Sequence, residues 1–167
     1  AAAAWTLGRT IVPLNFLLSA AEVAYILEDC GADTIVTVSP MLEMIEELPS
    51  GIKPILLDKV SMGGMPPIRR SVRRDDDAIA AMLYTSGTSG QPKGVMLSAG
   101  NLASNVEQCR TWVGFKRGDR FLGILPQFHS FGFTVTTLLP AVLGAPVIYN
   151  ARFSPRRTIK LIRTHRP

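Results

Sequence analysis

With 167 residues, 47% of them hydrophobic, the chain has enough apolar side chains for a sizeable core, which excludes a disordered polypeptide. Its 18 basic and 13 acidic residues leave a net charge of +5. Arg69, Arg70, Arg73 and Arg74 run directly into Asp75, Asp76 and Asp77, and no aromatic residues interleave with the basic clusters, so no nucleic-acid partner is expected.

The chain opens on AAAAWTLG without a methionine, an Ala-rich run that favours helix and lacks the basic start of a signal peptide. TIVPL (10–14) reads as a short buried strand. Ser19 and Glu22 then form a capping box for a helix whose stripe of Ala21, Val23, Ile26 and Leu27 ends at Gly31. DTIVTV (33–38) is a β-branched strand, residues 40–48 a short helix and KPILLD (53–58) a further strand. Residues 61–77, rich in Gly, Pro and Arg, form a connecting loop between an α/β segment at 1–60 and a second at 78–167.

In the second segment AIAAMLYTSG (78–87) reads as strand running into a glycine-rich loop, and GVMLS (94–98) as another strand. Ser98 either ends that strand or caps the helix that follows over 99–113. Strand RFLGIL, an apolar helix at 132–143, strand PVIYN and a final amphipathic helix complete the order. Phe121 to Ala151 carries no charged side chain, but Pro126, Pro140 and Pro146 divide it into strand, helix and strand, not a membrane span. Alternating strands and helices indicate an α/β fold around a mixed, largely parallel sheet. The two cysteines, Cys30 and Cys109, form neither a CxxC pair nor a metal spacing and suit a reducing compartment.

Chemistry concentrates in YTSGTSGQPKG (84–94). Its glycines let a ligand approach main-chain N–H groups, which in such a turn form an anion-binding concavity. Thr85, Ser86, Thr88 and Ser89 add neutral donors, and Lys93 adds a cation suited to phosphate oxygens. A flexible surface turn is the plainer alternative, yet a linker would not join two apolar strands so closely around one lysine. The loop contains no Gly-Lys pair and no GxGxxG turn, so it belongs to neither of those phosphate-binding designs. A second polar group, His129, stands between Phe128 and Phe131 in an apolar stretch, where its reading is a site residue or a hydrogen-bonded core histidine.

The stretch YTSGTSGQPKGVMLS closely resembles the signature loop of the acyl-adenylate-forming superfamily, which includes fatty-acid–CoA ligases, luciferases and peptide-synthetase adenylation domains. IVPLNFLLSAAEVAYILEDCGA and LPQFHSFGFT are similar to the segments around that loop in acyl-CoA ligases. The resemblance implies part of the large N-terminal domain of an enzyme that joins a carboxylate to AMP from ATP, with Mg²⁺, and passes the acyl group to a thiol, usually that of coenzyme A. It implies that Thr85, Ser86, Gly87, Thr88, Ser89, Gly90, Gln91, Pro92, Lys93 and Gly94 hold the β- and γ-phosphates, that Lys93 balances pyrophosphate charge, and that His129 serves the acyl pocket. Ser89 keeps a hydroxyl where threonine is more usual, and Ala99 stands where many relatives have histidine. The adenine motif, the metal-linked glutamate, the ribose-binding aspartate and the adenylating lysine would lie beyond Pro167, so the piece alone is expected to be inactive. A long-chain fatty acid is the expected substrate, in a cytoplasmic parent with peripheral membrane association as one possibility. The alternatives are an acyl–acyl-carrier-protein synthetase, with or without a fused glycerophospholipid acyltransferase, and a non-catalytic nucleotide- or acyl-binding relative.

Overall fold

The computed structural model describes residues 1–61, 63, 71–86, 91–150 and 153–167. They form two compact units, one of Ala1–Arg74 with Ala80–Met96 and one of Asp75–Ile79 with Leu97–Pro167.

The first unit starts with the short helix α1 (Ala2–Thr6), whose Trp5 indole N–H donates to the Ala80 carbonyl at 2.8 Å. The strand expected at 10–14 is reduced to one parallel bridge between Ile11 and Ala81. Ile11 donates to Ala80 and accepts from Met82, and the next donor in that ladder would be residue 13. Pro13 has no N–H, so pairing stops there.

Helix α2 (Ala20–Asp29) has the expected capping box: the Glu22 N–H donates to Ser19 Oγ at 3.3 Å and the Ser19 N–H to Glu22 Oε2 at 2.8 Å. The Ser19 backbone donor, then its hydroxyl, holds the Glu22 carboxyl below its ordinary range. Val23, Ile26 and Leu27 are buried, and Gly31 leaves the helix at φ 61°. Strands β1 (Thr34–Thr37) and β2 (Lys53–Leu56) pair in parallel, Thr34 beside Lys53 and Thr37 beside Leu56. Val23, Leu27 and Ile35 form a core against Leu14, Leu18, Ala32, Ile45, Leu48 and Ile52. Between the two strands α3 (Ser39–Glu43) is shorter than the expected 40–48. Glu43, Glu46 and Glu47 would crowd the negative end of a longer helix, and Glu46 turns out of it at φ 62°.

Strands β3 (Ile79–Thr85) and β4 (Lys93–Ser98) pair with each other. The connection over 86–92 is too short for a crossover, so the pair is antiparallel and gives the fold its mixed character. The pair β1–β2, and the pairing of Phe121–Gly123 with Val147–Tyr149, supply the parallel part.

In the second unit Ser98 does both jobs expected of it, ending β4 and capping α4 (Ala99–Val113) through a reciprocal pair with Asn101. Gly114, at φ 75°, closes that helix. Strands β5 (Phe121–Gly123) and β6 (Val147–Tyr149) pair in parallel.

The expected helix at 132–143 is three joined pieces: α5 (Ser130–Phe133), a π-helical turn (Thr134–Leu138) and α6 (Leu139–Leu143). Buried Pro140 cannot donate to the Thr136 carbonyl, and the Tyr149 hydroxyl donates to it instead at 2.6 Å. The Tyr149 ring crosses from β6 over Gly123, where a Cβ would lie 2.5 Å from its Cδ1. The amphipathic helix α7 (Pro155–His165) closes the unit, with Arg120 donating to the His165 carbonyl. Among the described residues no helix is long and apolar enough to cross a membrane.

Gly132 allows the closest backbone approach in this unit. A Cβ there would sit 2.1 Å from the Pro126 carbonyl oxygen and 3.1 Å from that of Leu125. Main-chain atoms cannot rotate aside, so Gly132→Ala should destabilise the protein by about 1–3 kcal/mol. Gly118→Ala, with nothing within 4 Å, should change stability by no more than about 0.5 kcal/mol. Urea unfolding followed by circular dichroism checks both; equal midpoints for the two variants would contradict the close approach.

Candidate functional site

The candidate loop is carried by the strand pair β3–β4 of the first unit. Side chains alternate along β3, with Ala81 and Leu83 buried, Met82 and Tyr84 half-buried, and Thr85 and Ser86 exposed at the exit. The chain returns through exposed Gln91 and half-buried Pro92 into β4, whose first residue, Lys93, is exposed. Pro92 has no N–H to donate and restricts the backbone of Gln91 just ahead of Lys93. Gly87, Thr88, Ser89 and Gly90 lie outside the described residues.

Gly94 shows how the returning strand is seated. A Cβ on it would lie 2.9 Å from Tyr84 Cζ, 3.1 Å from Tyr84 Oη and 3.1 Å from Met82 Cε. The ring of Tyr84 therefore covers the main chain of Gly94, one residue beyond the lysine. Alternation turns Thr85 and Lys93 to the opposite face from that ring. The two ends of the loop thus present hydroxyls from Thr85 and Ser86 and an exposed ammonium from Lys93, a set of hydrogen-bond donors. Such a set can bind and neutralise a polyanion.

The Tyr84 hydroxyl donates to Asp29 Oδ2, at the last residue of α2, at 2.5 Å. Burial, then the Asp29 carboxylate, pushes the phenol well above its ordinary range, so it stays a neutral donor. Sequence reasoning gave Tyr84 no role beyond its place in the loop and left Asp29 out. The one signal available was Tyr84's alternation with buried Leu83, which names a face and not a partner.

His129 lies in the second unit and caps α5. Its Nδ1 accepts from the Phe131 N–H at 3.3 Å, so in the neutral ring the proton sits on Nε2. The side chain is exposed, so the core-histidine alternative does not hold. Phe131 is also exposed, while Phe133 and Gly132 are buried. His165 is half-buried at the end of α7.

Among the described residues no group of three His, Cys, Asp or Glu side chains converges as a metal cage. The described part of this chain offers magnesium no carboxylate set of its own; an ion carried on nucleotide phosphates takes its oxygens largely from the nucleotide and water.

Comparison with known proteins gives a consistent result. The family model for AMP-binding enzymes matches residues 1–167. A long-chain-fatty-acid–CoA ligase of Bacillus subtilis is 42% identical over 91 residues, which cover 53% of this chain and 16% of that protein. A 2-succinylbenzoate–CoA ligase of Bacillus licheniformis is 33% identical over 166 residues, covering 96% of this chain and 33% of that protein. Among solved structures, the O-succinylbenzoate coenzyme A synthetase MenE from Bacillus subtilis in complex with AMP matches with a TM-score of 0.84 at 30% identity, over 98% of this chain and 42% of that one. The same enzyme in complex with ATP and magnesium ion gives 0.83 at 30% identity, over 98% and 34%. The chain spans a third or less of the length of these curated relatives.

The seating of Gly94 is testable by itself. Gly94→Ala should cost about 1–3 kcal/mol of stability, because the new methyl meets the tip of the Tyr84 ring. In a Tyr84→Ala background most of that cost should vanish, since the ring is gone. A double-mutant cycle by denaturant unfolding measures the coupling, and additive costs would show that the two residues do not meet.

Proposed function

Because the chain belongs to the AMP-binding enzyme family, we propose that it is the central part of an AMP-forming acid–CoA ligase acting on a fatty acid. The observation that carries this reading is the loop between β3 and β4, with Thr85 and Ser86 leaving one strand and Lys93 beginning the next. In the proposed reaction a carboxylate oxygen attacks the α-phosphorus of ATP and the bond to the β-phosphate bridge oxygen breaks, giving acyl-AMP and pyrophosphate. Charge grows on the leaving pyrophosphate, and donors already aimed at it lower the barrier without reorganising. Thr85, Ser86 and the residues through Gly94 take the β- and γ-phosphates in this reading, and Lys93 balances their charge. Coenzyme A thiolate then attacks the acyl carbonyl and AMP leaves. His129, with Nε2–H free of its helix, is assigned to the acyl end of the reaction. The enzyme is placed in the cytoplasm, where ATP and coenzyme A are supplied.

Two relatives pull the substrate in different directions. The likeness to the fatty-acid ligase, 42% over 91 residues, and the uncharged run 121–151 support an apolar acyl chain. The likeness to the 2-succinylbenzoate ligase covers 96% of the chain and supports an aryl acid as the second reading.

Pyrophosphate exchange by the full-length ligase, run against a panel of fatty and aryl acids, separates the two; exchange confined to aryl acids overturns the fatty-acid reading. In the same enzyme Lys93→Ala should lower the adenylation rate by about 10²–10³-fold and largely spare thioester formation from supplied acyl-AMP. Equal loss in both half-reactions would remove Lys93 from its assigned role.

A further inference from the structure

Thr85 and Lys93 stand at the facing ends of β3 and β4, so what fixes those strand ends decides where these two donors stand. Tyr84 is the last half-buried residue before the exit at Thr85 and Ser86. Its ring tip lies against Gly94 on the returning strand, with only a hydrogen's room between them: a Cβ there would come within 2.9 Å of Cζ and 3.1 Å of Oη. Its hydroxyl donates to Asp29. One side chain therefore touches the outgoing strand, the incoming strand and the end of a helix.

The helix end is a firm anchor. Val23, Ile26 and Leu27 of α2 are buried, and Val23 and Leu27 belong to the core of the first unit. Asp29 is an unfavourable choice for the last residue of a helix, because its charge meets the negative end of the helix dipole. A donor supplied from another element offsets that repulsion. The phenol suits the task because burial keeps it protonated and able to donate.

We propose that Tyr84 and Asp29 form a positioning clamp for the phosphate loop, in which the phenol ring pins Gly94, and through it Lys93, while the Asp29 carboxylate holds the ring in place. Neither residue touches the nucleotide. Tyr84 turns to the face opposite Lys93 and Thr85, so it acts through the backbone it covers. The proposal rests on the ligase reading above and adds to it the residues that pre-organise the loop. When the clamp is released, the loop visits arrangements in which Lys93 is misplaced, and only the competent fraction binds ATP. Apparent affinity for ATP falls by that fraction, while the chemistry of the competent complex is unchanged.

The test uses the full-length ligase and measures KM for ATP and kcat in pyrophosphate exchange, beside thioester formation from supplied acyl-AMP. Tyr84→Phe keeps the ring and removes the hydroxyl. It should raise KM for ATP about five- to tenfold, the scale of one lost hydrogen bond to a charged group at a partly exposed site, with kcat within about twofold. Asp29→Ala should do the same, and the double variant should be no worse than either single one, because both remove one interaction. Asp29→Asn retains an acceptor oxygen and should return KM to within about threefold of the unvaried enzyme. Thioester formation should not respond to any of these changes. Thermal unfolding of each variant reports whether it is folded, and Asp29→Ala, at an exposed position, is the variant to rely on if Tyr84→Phe does not fold. An unchanged KM for ATP in these variants, additive effects in the double variant, or equal loss in both half-reactions overturns the clamp. Absence of exchange by the unvaried enzyme with every acid tried overturns the ligase reading beneath it.

Discussion

A single carbonyl, that of Ala80, accepts from both the Trp5 indole and the Ile11 amide, and two residues along the same strand Met82 donates back to Ile11. Strand β3 is thus the member on which the first unit is assembled. Its early residues gather the N-terminal segment, and its late residues meet α2 through Asp29 and β4 through Gly94. A strand held from several directions cannot slide, because a shift of one residue would turn Ala81 and Leu83 from the buried side to the other face. The loop that leaves β3 therefore starts from a determined place. That is what a binding loop of glycines and hydroxyls needs, since it has little apolar surface with which to hold itself.

The second unit answers a different constraint, the absence of one N–H. Pro140 is buried in mid-helix, where it cannot donate to the Thr136 carbonyl. The chain adapts by widening to a π-helical turn over Thr134–Leu138 and by bringing Tyr149 from β6 to supply a hydroxyl. Tyr149 can reach because its cross-strand neighbour is Gly123, over which the ring lies flat. Pro140, which reads in the sequence as a division of an apolar run, and the glycines Gly123 and Gly132 are, in the structure, the positions through which its helix is fastened. Gly132 is the other glycine, and its place against the Pro126 carbonyl sets the turn in which His129 sits.

What was legible in the sequence was whatever depends on near neighbours. The capping box of Ser19 and Glu22 acts over three residues, and α2 lies where it places it; Ser98 was legible as a cap, though its partner Asn101 was not. What failed depended on accumulated or distant effects. The strand at 10–14 lost its ladder to one proline, and α3 stopped short where three glutamates gather. The exposure of His129 and the roles of Tyr84 and Asp29 depend on partners tens of residues away, which periodicity does not name. Alternation along a strand can name a face but not a partner; only the fold brings Asp29 to the Tyr84 hydroxyl and Gly94 beneath its ring.

These differences follow from a division of labour between ligand-binding backbone and its supports. A loop whose N–H groups must face an anion cannot also spend those groups on a sheet ladder, and its glycines have a high entropy cost when ordered. Stiffness has to be borrowed from elements that keep full pairing, and the cheapest place to borrow it is at the loop's ends. β3 runs to Thr85 and β4 begins at Lys93, so the two strand ends are where that support is available. A large planar side chain at the last half-buried position of one strand, covering a glycine at the second position of the other, joins the two ends with few additional ordered bonds. The glycine after the lysine is then a packing requirement of the ring above it. A methyl at residue 94 would meet the tip of that ring, so the side chain of one strand and the main chain of the other cannot be chosen independently.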